Sequence, residues 1–439
     1  MASIILLFTI LVEISLLVFC FKTNSAQKKT RNIIRLLSLG LFAVLSMASV
    51  LEWGARWYAL GLLLVLWAVI AIISLLGGSK AKKEFHRGRT VGKSIGILLL
   101  VTLALIPAFI FPQITFPKVT GEYKVATAND IWTDPSREER FTPVEGDHRF
   151  VGVEFWYPAD YDNTKGHCPL IVFSHGAYGI KSSNTSTYQE LASHGYVVCS
   201  IDHPYHAMYT KAPNGSIITA ASEFVNDMSL INDDHYPIED KMKTIQEMLS
   251  LRVEDINFVL DQIEQRTAAA KTEAFYTMID TEHIGLMGHS LGGAAAAEVA
   301  KERANIDAVV NLDGDFLGEL VFEGGKEAYS QELYSKPILC FWSDLLYRGI
   351  SDIGGFPFLN KATSAYEVHI KGTDHMSYTD LPLISPLLNN LILNMNGLKK
   401  AEIDQSYCTE TMNTLILQFF QSYLKKEGTF EAAAEYPLR

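Results

Sequence analysis

Ser290 stands in Gly288-His289-Ser290-Leu291-Gly292-Gly293, with a glycine two places to either side. The apolar stretch HIGLMG (283–288) precedes it and the helix-favouring LGGAAAAEVAKERA follows. A sharp strand-to-helix turn of this kind lifts a serine hydroxyl clear of its surroundings, and the glycines remove side chains that would collide there. The helix start behind the serine favours developing negative charge. The chemistry on offer is nucleophilic attack on an acyl carbon. A serine hydroxyl at its ordinary pKa is a poor nucleophile, so a base must lie beside it. His289 fills the variable place in the motif and has no catalytic role in this reading.

In sites of this type the partners follow in the order serine, acid, histidine. Only His369 and His375 come after Ser290. His369 falls within the strand-like SAYEVHI, where the pleat would fix it. His375 falls just beyond, in Gly372-Thr373-Asp374-His375-Met376, and is the candidate base. Asp313 ends IDAVVNLD and Asp344 follows KPILCFWS, so both are candidate acids, with Asp315 a third. An aspartate at a strand end also serves as a turn residue or helix cap. The oxyanion of a tetrahedral intermediate needs two backbone N–H donors. Leu291, after the nucleophile, supplies one. Ala177, in Ser174-His175-Gly176-Ala177 after PLIVFS, supplies the other. His175, His203 and His206 invite a metal reading, but no second ligand signature accompanies them and no metal is expected.

These residues need strands that end together. EYKVATA and FVGVEFWY read as strands, followed by PLIVFS, YVVCSID, HIGLMG, IDAVVNLD, KPILCFWS and SAYEVHI. Ile245, Met248, Leu251, Ile256, Val259 and Ile263 recur at helical spacing over 242–266, and further helices are expected near 387–396 and 408–425. Strands alternating with helices predict an α/β protein with a mostly parallel sheet covered on both faces. With the serine motif placed between strand and helix, this is the pattern of the α/β-hydrolase fold. The acidic connection 203–241 is long enough to be a lid, with Tyr205, Met208, Tyr209, Ile217, Ile218, Phe224 and Met228 available to face an apolar substrate.

Composition changes once, near residue 118. Of the 37 Lys+Arg and 49 Asp+Glu, residues 1–118 hold 13 and 3, so this end is net +10 and the rest net −22. An acidic globular part argues against nucleic acid as partner. Four apolar runs, 2–21, 33–51, 57–76 and 94–111, each approach the ~20 residues that cross a ~30 Å hydrocarbon core. The chain therefore reads as a transmembrane region, 1–118, followed by a catalytic domain, 119–439. Basic loops 22–35 and 79–93 fall on one side, which the positive-inside rule makes cytoplasmic. A multi-pass protein of the cell membrane results, with its catalytic domain outside the cytoplasm. Glu13 sits within the first span without a basic partner in view at similar depth, and is read as a bundle-facing structural residue. The five cysteines show no CxxC or zinc spacing, so neither disulfides nor a thiol nucleophile is expected.

Residues 121–385 resemble the plasma-type platelet-activating factor acetylhydrolases and their dienelactone-hydrolase-like relatives. The features are TDPSR (133–137), VEFWYP (153–158), VFSHGAYG (172–179), LASHGYVV (191–198) leading to Asp202-His203, LRVEDINFVLDQI, GHSLGG, NLDG (311–314) and GTDHMSYTD (372–380). The resemblance implies Ser290 as nucleophile, Asp313 as acid, His375 as base, and Leu291 and Ala177 as oxyanion donors. It also implies an ester hydrolase without cofactor, acting on phospholipids with a short or oxidised sn-2 acyl chain. The four apolar runs lie outside the resemblance, and 203–241 has no close match in it. A general carboxylesterase or lipase is the alternative within the enzyme class, and a membrane protein with a non-catalytic hydrolase-like domain the alternative outside it. The orientation is testable: protease added to intact cells should cleave within 203–241, and protection until the membrane is opened would reverse the topology.

Overall fold

The computed structural model describes the chain apart from residues 78–84, 234, 270–272, 324–325 and 363. It divides into two units, Met1–Thr115 with Leu383–Ile392, and Phe116–Pro382 with Leu393–Arg439. The first contains helices Ala2–Lys22 (α1), Lys28–Met47 (α2), Ala55–Leu76 (α3) and Arg87–Ile110 (α4). All four are long and apolar enough to cross a membrane. They expose Leu37, Leu62, Leu76 and Leu103 outward, a surface that hydrocarbon accepts and water disfavours. Trp57, Leu60, Leu64, Val101 and Leu105 pack inward with the small Ala68, Ala71, Ala104 and Ala108.

One expectation changes here. Glu13 has a partner: Arg31 Nη1 lies 3.0 Å from its Oε2, and Arg31 Nη2 donates to Ser94 Oγ at 3.2 Å. The reason is that α2 begins at Lys28, five residues before the expected 33, so Arg31 is helical rather than part of a loop. Its long side chain can then reach the buried carboxylate. The helix ends at Met47, short of the expected 51. In the second basic loop, Arg87, Arg89 and Lys93 begin α4, while Lys80, Lys82 and Lys83 lie outside the described residues. The first unit also takes in residues 383–392, distant from it in sequence. Ser385 Oγ there donates to Ile110 O at 2.5 Å.

The second unit is built on strands Val125–Glu138 (β1), His148–Pro158 (β2), Cys168–Ser174 (β3), Val197–Asp202 (β4), Tyr209–Lys211 (β5), Ile217–Thr219 (β6), Ile279–His289 (β7), Ile306–Leu312 (β8), Leu320–Glu323 (β9), Lys326–Tyr329 (β10), Ile338–Trp342 (β11), Ala365–Ile370 (β12) and Glu435–Tyr436 (β13). Nine form one sheet in the order β1-β2-β4-β3-β7-β8-β11-β12-β13, in which β2 alone runs against the rest. The helices are Thr185–Ser193 (α5), Ser222–Ile231 (α6), Ile238–Ala268 (α7), Leu291–Glu302 (α8) and Asp344–Asp352 (α9), with a C-terminal helix Gln405–Tyr423.

Apolar residues on both faces of the strands explain why the sheet is covered twice. Leu170, Val172, Leu286 and Val309 face one core, closed by Val259 and Ile263 of α7 and by the alanines of α8. Ile171, Phe173, Val310 and Phe341 face the other, closed by Tyr188 of α5 and by Ile416 and Phe420 of the C-terminal helix. Strand alternation thus sorts consecutive residues into two cores. The parallel strands β3, β4, β7, β8, β11 and β12 all end at one edge. In open α/β sheets, sites form outside that edge. Within 203–241, β5 and β6 pair as an antiparallel hairpin, α6 follows, and α7 begins at Ile238.

Candidate active site

β7 ends at His289 and α8 starts at Leu291, so Ser290 alone makes the turn, at φ +53° and ψ −127°. Such a backbone costs a non-glycine residue about 1–3 kcal/mol and persists only where its surroundings impose it. Here they do. A side chain on Gly288 would collide with Gly292 O, and one on Gly292 with Ser174 O. Ser290 N–H donates to Leu312 O at 2.9 Å, while Gly293 and Ala294 donate back to Ser290 O.

Asp313 follows β8, also in the left-handed region at φ +52°. Buried Asn311 holds this turn: its Nδ2 donates to Gly314 O at 2.7 Å and its Oδ1 accepts from Gly314 N–H at 3.0 Å. The Asp313 carboxylate, almost wholly buried, accepts from Ser343 N–H at 2.6 Å and from His375 Nδ1–H at 2.7 Å. With Nδ1 so engaged, Nε2 is the ring nitrogen left to take a proton. Burial opposes charge on His375, but the hydrogen bond and charge of Asp313, and then the charge of Asp374, outweigh it and raise its pKa.

The His375 loop is fastened independently. Asp374 caps the 375–378 turn, accepting from Met376 N–H at 2.9 Å and Ser377 Oγ at 3.0 Å. Tyr378 OH donates to Trp342 O at 2.8 Å. His289 Nε2–H donates to His375 O at 2.8 Å, and the two rings lie 4.6 Å apart. Burial, then the nearby His375, push His289 down to about 3, so it is neutral at ordinary pH. Sequence reasoning gave His289 no part, and no pattern marks it. It holds the main chain of His375.

The other candidate acids lie with other partners. Asp344 accepts from His369 Nε2 at 2.8 Å and from Gly372 N–H at 3.0 Å. Asp315 accepts from Tyr329 OH at 2.8 Å. Leu291 opens α8, where a helix has no acceptor for its first N–H groups. In the 175–179 loop, Tyr178 N–H donates to His206 O at 3.0 Å and Gly179 N–H to Gly176 O at 3.1 Å. Ala177 N–H, just before them in the loop, has no acceptor among the described residues. A Cβ on Gly176 would sit 2.8 Å from His289 Nδ1 and 3.1 Å from Ser290 Cβ, so this loop presses directly on the serine turn.

The three histidines that invited a metal reading, His175, His203 and His206, are engaged within the fold. His203 bonds Asp255 Oδ2 through Nδ1 at 2.9 Å and Ser174 Oγ through Nε2 at 2.8 Å. His175 Nδ1–H donates to Gly176 O at 2.6 Å. His206 stacks on Phe224 with centroids 4.0 Å apart. In the 203–241 segment Phe224 is buried, whereas Met208, Tyr209 and Ile217 are exposed.

The acid assignment can be tested directly. Asp313→Asn should lower kcat by ~10³–10⁴ through loss of the imidazole tautomer and orientation, and Asp344→Asn far less. In the wild type, kcat/KM should fall as pH drops through the raised His375 pKa, because the protonated ring cannot act as base; in Asp313→Asn that limb should move to lower pH. A crippled Asp344→Asn protein, or an unmoved limb in Asp313→Asn, would contradict the assignment.

The family model for platelet-activating factor acetylhydrolase, isoform II, matches residues 157–435. A protein of Arthroderma benhamiae described as "Probable 1-alkyl-2-acetylglycerophosphocholine esterase" is 28% identical over 175 residues, covering 39% of this chain and 38% of that protein. The platelet-activating factor acetylhydrolase of Cavia porcellus is 21% identical over 281 residues, covering 60% and 59%. This chain thus spans less than two thirds of the length of either relative. The solved structure of a ferulic acid esterase from Streptomyces cinnamoneus aligns with a TM-score of 0.54 at 21% identity, covering 71% of this chain and 93% of that one. At that identity the likeness establishes the fold, an α/β-hydrolase sheet. The match of the family model over more than half the sequence makes this chain a member of the platelet-activating factor acetylhydrolase isoform II family.

Proposed function

We propose that the chain hydrolyses carboxylic esters through an acyl-enzyme on Ser290. The observation that carries this reading is the 2.7 Å bond from His375 Nδ1 to Asp313, made beside a serine at φ +53°. In the proposed scheme His375 Nε2 takes the Ser290 proton as Oγ attacks the acyl carbon. The Leu291 and Ala177 N–H groups receive the oxyanion, and each such donor is worth ~10²–10³ in kcat. His375 then returns the proton to the leaving alkoxide. Water repeats the sequence on the acyl-enzyme. Asp313 stays ionised and stabilises the imidazolium. The scheme uses no metal or organic cofactor.

The substrates in this reading are lipid esters, in particular phospholipids with a short or oxidised sn-2 acyl chain. Family membership and the printed activities of the curated relatives support that class. Exposed Met208, Tyr209 and Ile217 on the β5–β6 hairpin offer an apolar lip for such a substrate. On a panel of phospholipids, the purified full-length chain should favour sn-2 acetyl over sn-2 palmitoyl by at least ~10² in kcat/KM, and Ser290→Ala should lose at least ~10³ in kcat. Equal rates across acyl lengths would favour a general carboxylesterase. Turnover persisting in a folded Ser290→Ala protein would remove the mechanism.

A further inference from the structure

A buried cation holds the main chain of the loop that carries Ala177. Arg252 lies on α7 with no surface open to solvent. Its Nη1 donates to His175 O and its Nη2 to Gly176 O at 3.3 Å. Taking a guanidinium out of water costs several kcal/mol, and neutral carbonyls offset that poorly. An apolar side chain would fill the same volume more cheaply, so packing alone does not account for an arginine here.

His175 grips the same carbonyl from its other side, Nδ1–H to Gly176 O at 2.6 Å. Its Nε2 accepts from His203 N–H at 3.2 Å, which leaves the ring one tautomer. His203 is fixed in turn by Asp255 and Ser174. Asp255, one turn along α7 from Arg252, also binds Arg149 Nη2 at 2.6 Å and Arg137 Nη2 at 3.0 Å. None of this reaches the Ser290 hydroxyl. Two of these side chains, Arg252 and His175, meet at the Gly176 carbonyl, and the others brace His175 through His203.

A trans peptide is planar, with C=O and N–H on opposite sides. The Gly176 carbonyl shares its plane with Ala177 N–H, so fixing the oxygen fixes the direction of the donor. A cation on the carbonyl also polarises the amide and strengthens its N–H as a donor, by ~10–30% in hydrogen-bond strength. We propose that Arg252 and His175 are positioning residues for the oxyanion donor: together they hold the Gly176 carbonyl and thereby aim Ala177 N–H at the reacting centre. This rests on the oxyanion role proposed above for Ala177.

The test uses the full-length chain with Arg252→Gln, Arg252→Lys and His175→Gln. Active sites are counted by fluorophosphonate titration, and folding is checked by thermal unfolding. Arg252→Gln and His175→Gln should lower kcat per titrated site by about 10–10²-fold with KM changed less than about threefold. Affinity for a trifluoromethyl ketone, whose hemiketal oxygen occupies the oxyanion position, should fall by the same factor. Arg252→Lys keeps the charge and reaches one carbonyl, so it should recover part of the loss, and it decides the matter if Arg252→Gln does not fold. Unchanged kcat per titrated site in folded variants would overturn the proposal. So would a loss confined to the fraction of titratable sites, since that reports folding only. Turnover surviving in Ser290→Ala would remove the acyl-enzyme reading itself, and this proposal with it, so the two failures are read from different variants.

Discussion

The close approach of two main chains fixes the rest of the site. Gly292 lies so near the Ser174 and His175 carbonyls that a single methyl group would not fit. That contact seats the start of α8 against the end of β3. It forces Ser290 through its strained turn and brings the 175–179 loop alongside it. The strain of ~1–3 kcal/mol at Ser290 is sustained because the neighbouring strands are fully buried in two cores and cannot yield cheaply. The Ser290 turn and the 175–179 loop are therefore one packing solution rather than two independent features.

A Ser–His–Asp chain of hydrogen bonds and a separate His–Asp pair lie in or beside this site, and burial separates them. Ser174, His203 and Asp255 are bonded in sequence and sealed from solvent. Burial, then the charge of Arg252, holds His203 down to about 4 despite Asp255, and Asp255 already serves two arginines. That set has no room for substrate and stiffens the loop. Asp313 and His375 form the open counterpart, with about a third of the His375 side chain accessible. A His–Asp pair thus gives a brace where it is sealed and an accessible imidazole where it is not.

The sheet and the residues at its edge were legible because their signals are local. An apolar strand, a glycine-flanked serine and an alanine-rich helix lie within about twenty residues, and their order restricts the geometry. The strand ends carrying Asp313 and His375 could be read from short apolar runs. The choice between Asp313 and Asp344 could not, since both follow strands and only the fold gives His369 to Asp344. Arg252, His289 and Asn311 were not legible as site residues. Arg252 sits on an ordinary amphipathic helix, and what it holds lies far away in sequence. Arg31 was missed as the partner of Glu13 because the expected start of α2 lay beyond it. Residues 383–392 group with the first unit, and no pattern in one helix tells which distant unit it joins.

The central claim is that one serine, Ser290, forms the covalent intermediate. The most direct measurement is to label the native full-length chain with a fluorophosphonate, digest it and map the adduct by mass spectrometry. The account predicts one adduct, on Ser290, formed in step with loss of ester hydrolysis and absent from chain denatured before labelling. An adduct on any other residue, or full inactivation with Ser290 unmodified, would contradict it.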